Sequence, residues 1–139
     1  MKTVLLVGAA VISEGKILLL KRLETKRFLP GYYDVPGGKV EEGEDPNLAV
    51  LRELKEETGL EARAISPYNV WSAPNVRNGE DEFIIEIDYL VKMDNIPKIV
   101  LSPNEHSEYL WVDRNGIPEK MTPELKSSVI KALDYYKKG

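Results

Sequence analysis

Glu53, Glu56 and Glu57 crowd three carboxylates into one short stretch of this 139-residue chain. The stretch reads as a helix from Asn47 to Thr58, with Asp45 as its N-cap, Pro46 at the first helical position and Gly59 as its stop. Helical side chains follow one another at about 100°, which sets Glu56 and Glu57 about 60° and 40° to either side of Glu53. The three acids thus share one narrow face, and Val50, Leu54, Leu51 and Leu48 take the far side, free to pack on a sheet. Like charges at such spacings repel by a few tenths of a kcal/mol per exposed pair. The C-terminal half of a helix also disfavours anions. A bound cation would remove the repulsion, and hard oxygen ligands suit Mg²⁺, with Mn²⁺ as a substitute. A merely solvated acidic face, with Arg52 and Glu56 paired at i,i+4, accounts for the same residues without a ligand. On the glutamates alone it is the simpler reading.

Composition narrows the chemistry from the other side. The chain is 42% hydrophobic and 30% charged, that of an ordinary globular domain. It has no cysteine, which excludes a disulfide framework, thiolate zinc sites and cysteine nucleophiles. A single histidine makes His-rich metal sites and Ser-His triads poor candidates. A net charge of −4 has the wrong sign for coating nucleic acid. Catalysis would therefore fall to carboxylates, Arg, Lys, Tyr and backbone.

The elements that must position those groups fit one domain over residues 1–139, with no repeat or linker. Strands are expected at Thr3–Ile12, Lys16–Arg22, Ala62–Trp71, Glu82–Lys92 and Glu108–Val112. The fourth is the clearest, its Ile84, Glu86, Asp88 and Leu90 forming a face that is polar in the middle. The apolar run after Lys2 has the outline of a signal peptide, but it leads through Ser13-Glu14-Gly15-Lys16 into a second run, which favours a hairpin. No run reaches the roughly 18 apolar residues of a membrane span, so a cytoplasmic protein is expected. A second helix starts at Thr122-Pro123 and runs to about Lys138, with Leu125, Val129, Leu133 and Tyr136 as its apolar stripe. The order predicts an α+β fold, a mixed sheet covered by helices. Residues 23–36 and 93–107 are expected as long binding loops.

Around the acidic helix, Gly38, Glu44, Arg52, Glu53, Leu54, Glu56, Glu57, Gly59 and Leu60 fill every defined position of the pattern G-x5-E-x7-R-E-U-x-E-E-x-G-U, where U is aliphatic. Seven positions demand one residue type each, so chance agreement is on the order of one in a million. The chain resembles the Nudix hydrolases, whose box this pattern is. Tyr33-Asp34-Val35-Pro36-Gly37-Gly38 resembles the strand end entering the box, and Asn104 to Val112 the late glutamate-bearing loop and strand.

The resemblance implies an α/β/α sandwich and metal-dependent hydrolysis of a nucleoside diphosphate linked to another group. It implies Glu53, Glu56, Glu57 and the Gly37 carbonyl as metal ligands, Arg52 as the residue orienting the carboxylates, and Glu44 as support. Glu53 or Glu56 could serve as general base; so could Glu105 on the late loop, with Glu108 behind it. For each late glutamate, a solvated loop charge is an equal alternative. His106, the only histidine, reads as a solvated or capping loop residue. Arg22 is the expected phosphate contact and Lys39 the runner-up. Tyr32, Tyr33 or Trp71 could stack on a base, although packing is the favoured reading for Trp71. The short chain is similar to MutT-type pyrophosphohydrolases, which makes a (deoxy)nucleoside triphosphate the leading substrate, an oxidised one included. Pro74 lies near the position that marks ADP-ribose enzymes, so ADP-ribose or another sugar nucleotide is second. The family is often dimeric, and no residue decides whether this chain is a homodimer. A non-catalytic nucleotide-binding module would be expected to lose box glutamates, and an RNA-directed enzyme would need a basic track; neither feature is seen.

Overall fold

The computed structural model describes residues 1–137; Lys138, expected at the end of the last helix, lies outside the described residues. Strands β1 (Lys2–Ser13) and β2 (Lys16–Arg22) form the expected hairpin, closed by Glu14 and Gly15 in the left-handed conformation that a tight, right-twisted hairpin requires. They pair only at the closed end, Ile12 with Ile17 and Ser13 with Lys16, and then splay. Residues 33–39 fill the opening. Within them β3 (Tyr33–Asp34) pairs with Leu20 and Lys21 of β2, and β4 (Gly37–Lys39) with Leu6 to Gly8 of β1. β3 falls within the loop expected at 23–36, because so few residues beside Gly and Pro carry no alternation, and β4 follows it along the strand end that Tyr33 to Gly38 resembles.

Helix α1 (Pro46–Thr58) follows, capped as expected. Asp45 accepts a hydrogen bond from the Asn47 N–H at 2.8 Å, and Gly59, at φ 76°, returns its N–H to the Lys55 carbonyl. Two long strands come next, β5 (Ile65–Arg77) and β6 (Glu80–Lys92), antiparallel across the Asn78-Gly79 turn. β5 starts later and ends later than the predicted Ala62–Trp71. Pro67, inside the expected strand, and Pro74, beyond its expected end, both lie in β5, an edge strand where a missing N–H can face the open side. The ladder shifts register between Pro67 and Asn69. β6 runs parallel to β1 from Lys2 opposite Glu82 to Ile12 opposite Lys92. β7 (His106–Val112) then pairs with β2, a 3₁₀ turn covers Arg114–Gly116, and α2 (Pro123–Lys137) ends the described chain. The strand order β3-β2-β1-β6-β5, with β4 added to β1 and β7 to β2, makes one mixed seven-stranded sheet.

Alternation along the strands divides the core between the two faces. Val7, Ala9, Val11, Leu18 and Leu20 pack with Ala49, Val50 and Leu54 of α1. Ala10, Ile12, Ile17 and Leu19 pack with Leu125, Val129, Ala132 and Leu133 of α2. The expected packing role of Leu48 is not observed: it is 61% exposed, and Ala49 takes its place on the buried face. The result is the predicted mixed sheet between helices. No helix among the described residues is long and apolar enough to cross a membrane.

Candidate active site

A cavity of about 950 Å³ opens where the hairpin splays. One wall holds Gly37, Gly38, Lys39, Glu53, Glu56 and Glu57; another holds Arg22, Arg27, Phe28, Tyr32 and Tyr33. Trp71, Glu86, Ser102, Glu105 and His106 also line it. All the residues singled out for metal or substrate contact therefore border one space, although they come from five separate stretches of sequence. Arg52 stands behind the wall with Glu44, and Glu108 does not border the cavity.

Behind the wall, Arg52 acts as a clamp. Its guanidinium donates twice to Glu44, at 2.8 and 3.0 Å, and also to Glu53 Oε1 at 2.9 Å, Glu56 Oε2 at 3.4 Å and the Lys39 carbonyl at 3.2 Å. The fork geometry of arginine suits such shared recognition, which a lysine would not reproduce. Glu44, bonded to Arg52 and to the Glu41 N–H, has its carboxyl held down at about 2. Glu44 thus ties the box loop to α1.

Glu53 reaches over β4 because Gly38 has no side chain: a Cβ there would lie 2.6 Å from the Glu53 carboxyl carbon. Glu57 is only 8% exposed and accepts from the Gly37 N–H at 3.4 Å. Burial first, then repulsion from Asp34 and the neighbouring Glu53, pushes its carboxyl up to about 10. Glu56 stays exposed. Among the described residues no three acidic or histidine side chains already form a closed metal cage, since Glu53 and Glu56 are turned onto Arg52. The donors are nonetheless chemically suited to a hard cation. They are carboxylates at one rim, one of them buried beside like charge and without a close cationic partner.

The raised Glu57 pKa gives a stability prediction. The folded form keeps this proton while the unfolded chain releases it at ordinary carboxylate pH. The proton-linked stability is therefore full in acid and is lost as pH rises towards 10. In EDTA, the Tm should fall between pH 5 and 8, and Glu57→Gln should flatten that slope. An equal slope in the variant would contradict the assignment.

His106 corrects the sequence reading. It is neither solvated nor in a loop: it begins β7, is 4% exposed, and its Nε2 lies 3.0 Å from Asp34 Oδ1. Its Nδ1 faces Glu57 Oε1 at 3.9 Å. Asp34, which the sequence reading passed over, is raised by burial against the opposing pull of His106 and Arg22.

Several expected substrate contacts are already engaged. Arg22 pairs with Asp34 at 3.7 Å, donates to the Phe28 carbonyl, and stacks over the Phe28 ring at 5.9 Å. Glu105 pairs with Lys26 at 3.1 Å, and the Tyr33 hydroxyl donates to Glu108 at 2.9 Å. Trp71, for which packing was favoured, borders the cavity and donates to both Glu86 and Asp88. Pro74 is exposed on β5 and does not border the cavity.

Comparisons with known proteins agree with the architecture. The crystal structure of the MutT protein from Methanosarcina mazei Go1 superposes with a TM-score of 0.72 and 29% identity, covering 99% of this chain and 97% of that one. The ADP-ribose pyrophosphatase of Methanocaldococcus jannaschii is 33% identical over 113 residues, or 81% of this chain and 63% of its own length. The CTP pyrophosphohydrolase of Escherichia coli is 42% identical over 62 residues, 45% of each chain. The chain therefore spans less than two thirds of the curated relatives' lengths. The model of the NUDIX domain matches residues 2–133, nearly the whole chain, and the protein belongs to the Nudix family.

Proposed function

We propose that this protein is a Nudix pyrophosphohydrolase that cleaves a phosphoanhydride bond of a nucleotide, with a (deoxy)nucleoside triphosphate as substrate and a monophosphate and pyrophosphate as products. The observation that carries the reading is the complete acidic rim on α1, facing a cavity that is also lined by Arg22, Arg27, Lys39 and aromatic side chains. Coverage of 97% of the M. mazei MutT chain supports this choice within the family.

Glu53, Glu56, Glu57 and the Gly37 carbonyl would hold the divalent cation, Mg²⁺ or Mn²⁺. When bound there it supplies neutralisation of the polyphosphate charge and a more acidic attacking water. Arg52 orients Glu53 and Glu56 from behind. Arg22 and Lys39 meet the phosphates from two sides of the cavity, and Tyr32 and Tyr33 border the space open to a base. The proton of the attacking water passes to Glu53 or Glu56, or to Glu105 across the cavity. Glu105 is paired with Lys26 and would have to release it to take that part. Charge that develops on the phosphoryl oxygens is met by fixed cations rather than by reorganising solvent.

ADP-ribose is the second reading, favoured by the M. jannaschii relative, although the position of Pro74 outside the cavity lends it nothing. Comparing kcat/KM for the nucleoside triphosphates and ADP-ribose, with products resolved by chromatography, decides between them. Nucleoside monophosphate with pyrophosphate is the expected outcome. AMP with ribose 5-phosphate, at higher kcat/KM, would replace the lead by the second reading.

A further inference from the structure

The acidic rim leaves a second buried carboxylate pair without a task. Glu86 and Asp88 are neighbours on the same face of β6, 9% and 1% exposed. The Trp71 indole N–H from β5 donates to both, to Glu86 Oε2 at 3.2 Å and Asp88 Oδ2 at 3.1 Å. Ser128 of α2 donates its hydroxyl to the same Asp88 oxygen, and Tyr68 in turn bonds Ser128. The other oxygen, Asp88 Oδ1, is buried with no partner. It points to the space left by the missing side chain of Gly8, where a Cβ would lie 2.7 Å from it and 3.0 Å from Glu86 Oε2. Gly8 and Glu86 both border the cavity, and around them the lining is apolar: Val4, Leu6, Ile84 and the Trp71 ring.

Apolar side chains next to a buried carboxyl, in a cavity that Arg77 and Asn78 also border, have the chemistry of a heteroaromatic ring site, which needs nonpolar contact on the faces and hydrogen bonding at one edge. We propose that Glu86, braced by Trp71 and Asp88, is the base-reading residue of this cavity, pairing with a donor–acceptor edge of the nucleobase while the phosphates lie at the α1 rim. The inference rests on the nucleotide reading above and extends it to the β6 side of the cavity. Two carboxylates sharing one indole N–H out of water do not both stay charged. Burial, with Asp88 adjacent, pushes the Glu86 carboxyl well above the usual range. A neutral carboxyl has one donor and one acceptor side by side, the complement of a ring-nitrogen edge.

The test uses Glu86→Leu, which keeps the bulk and removes the hydrogen bonding, with Glu86→Gln as the conservative variant, because an amide also offers one donor and one acceptor. Turnover of the four nucleoside triphosphates with Mg²⁺, and calorimetric binding of the same nucleotides in EDTA, are measured for each protein. The wild type is expected to prefer one base, and Glu86→Leu to raise KM for that nucleotide about tenfold or more, with a smaller change in kcat, so that the preference flattens. Glu86→Gln should recover most of the loss. An unchanged base preference in Glu86→Leu, or in Gly8→Ala should the first variant not fold, overturns the proposal. A wild type that turns over nucleotides with no base preference also overturns it while leaving the pyrophosphohydrolase reading intact. A wild type that binds with a preference lost in Glu86→Leu supports it even without turnover. A wild type that neither binds nor cleaves nucleotides overturns both readings.

Discussion

Glu57→Gln is expected to lower kcat at saturating Mg²⁺ by more than about a hundredfold, beyond the 10–100-fold range typical of residues that only support a metal site. Glu56→Gln should lose most activity too. Neither loss should come from unfolding. Glu57 is buried beside Asp34 and Glu53, its carboxyl raised mainly by that burial, so the metal-free protein gains nothing from its charge. An amide there needs no proton taken up on folding and can still accept from the Gly37 N–H. The Tm of the Glu57→Gln protein in EDTA should thus equal or exceed that of the wild type at pH 7. Glu56, exposed and bonded only to Arg52, should leave the Tm within a degree or so. Wild-type turnover of Glu57→Gln at saturating Mg²⁺ would mean that the ligand assignment is wrong.

Truncation before Pro123 has the larger effect on stability. It uncovers Ala10, Ile12, Ile17, Leu19 and Val35, which α2 covers with Leu125, Val129, Ala132 and Leu133. Each large apolar side chain that loses full burial costs about 1.5–3 kcal/mol, and a domain of this kind is stable by about 5–15 kcal/mol. Loss of α2 also strips Asp88 of the Ser128 hydroxyl. The truncated chain should aggregate, and light scattering with a thermal melt would show it. A soluble, active truncated form would contradict this packing.

The contrast between α1 and His106 shows what one sequence can and cannot convey. Helix α1 is written locally. Asp45, Pro46 and Gly59 fix its ends within a few residues of the glutamates they place, and both caps form as read. The face that Glu53, Glu56 and Glu57 share follows from helical period alone, as does the polar centre of β6 at Glu86 and Asp88. His106 has no such local signal. Its burial arises because β7 pairs with β2 at the point where 33–39 fills the splayed hairpin, bringing His106 onto Asp34 across 72 residues of sequence. The task of Trp71 is equally hidden. Its indole N–H is committed to Glu86 and Asp88 only through the β5–β6 register. Arg22 and Glu105 were identifiable as cavity residues, but not their pairing with Asp34 and Lys26. Pairings of that kind belong to loop conformation, which composition does not encode. The end of β5 lies beyond the expected Trp71 for a simpler reason: a proline such as Pro74 looks the same in a loop as on the open side of an edge strand.

The α1 carboxylates are expected to work through a divalent cation. Product release from the preferred nucleotide, followed by chromatography over a Mg²⁺ titration that begins in EDTA, tests it most directly. No product is expected in EDTA, followed by a saturable rise with Mg²⁺. Turnover that continues undiminished in EDTA would contradict it.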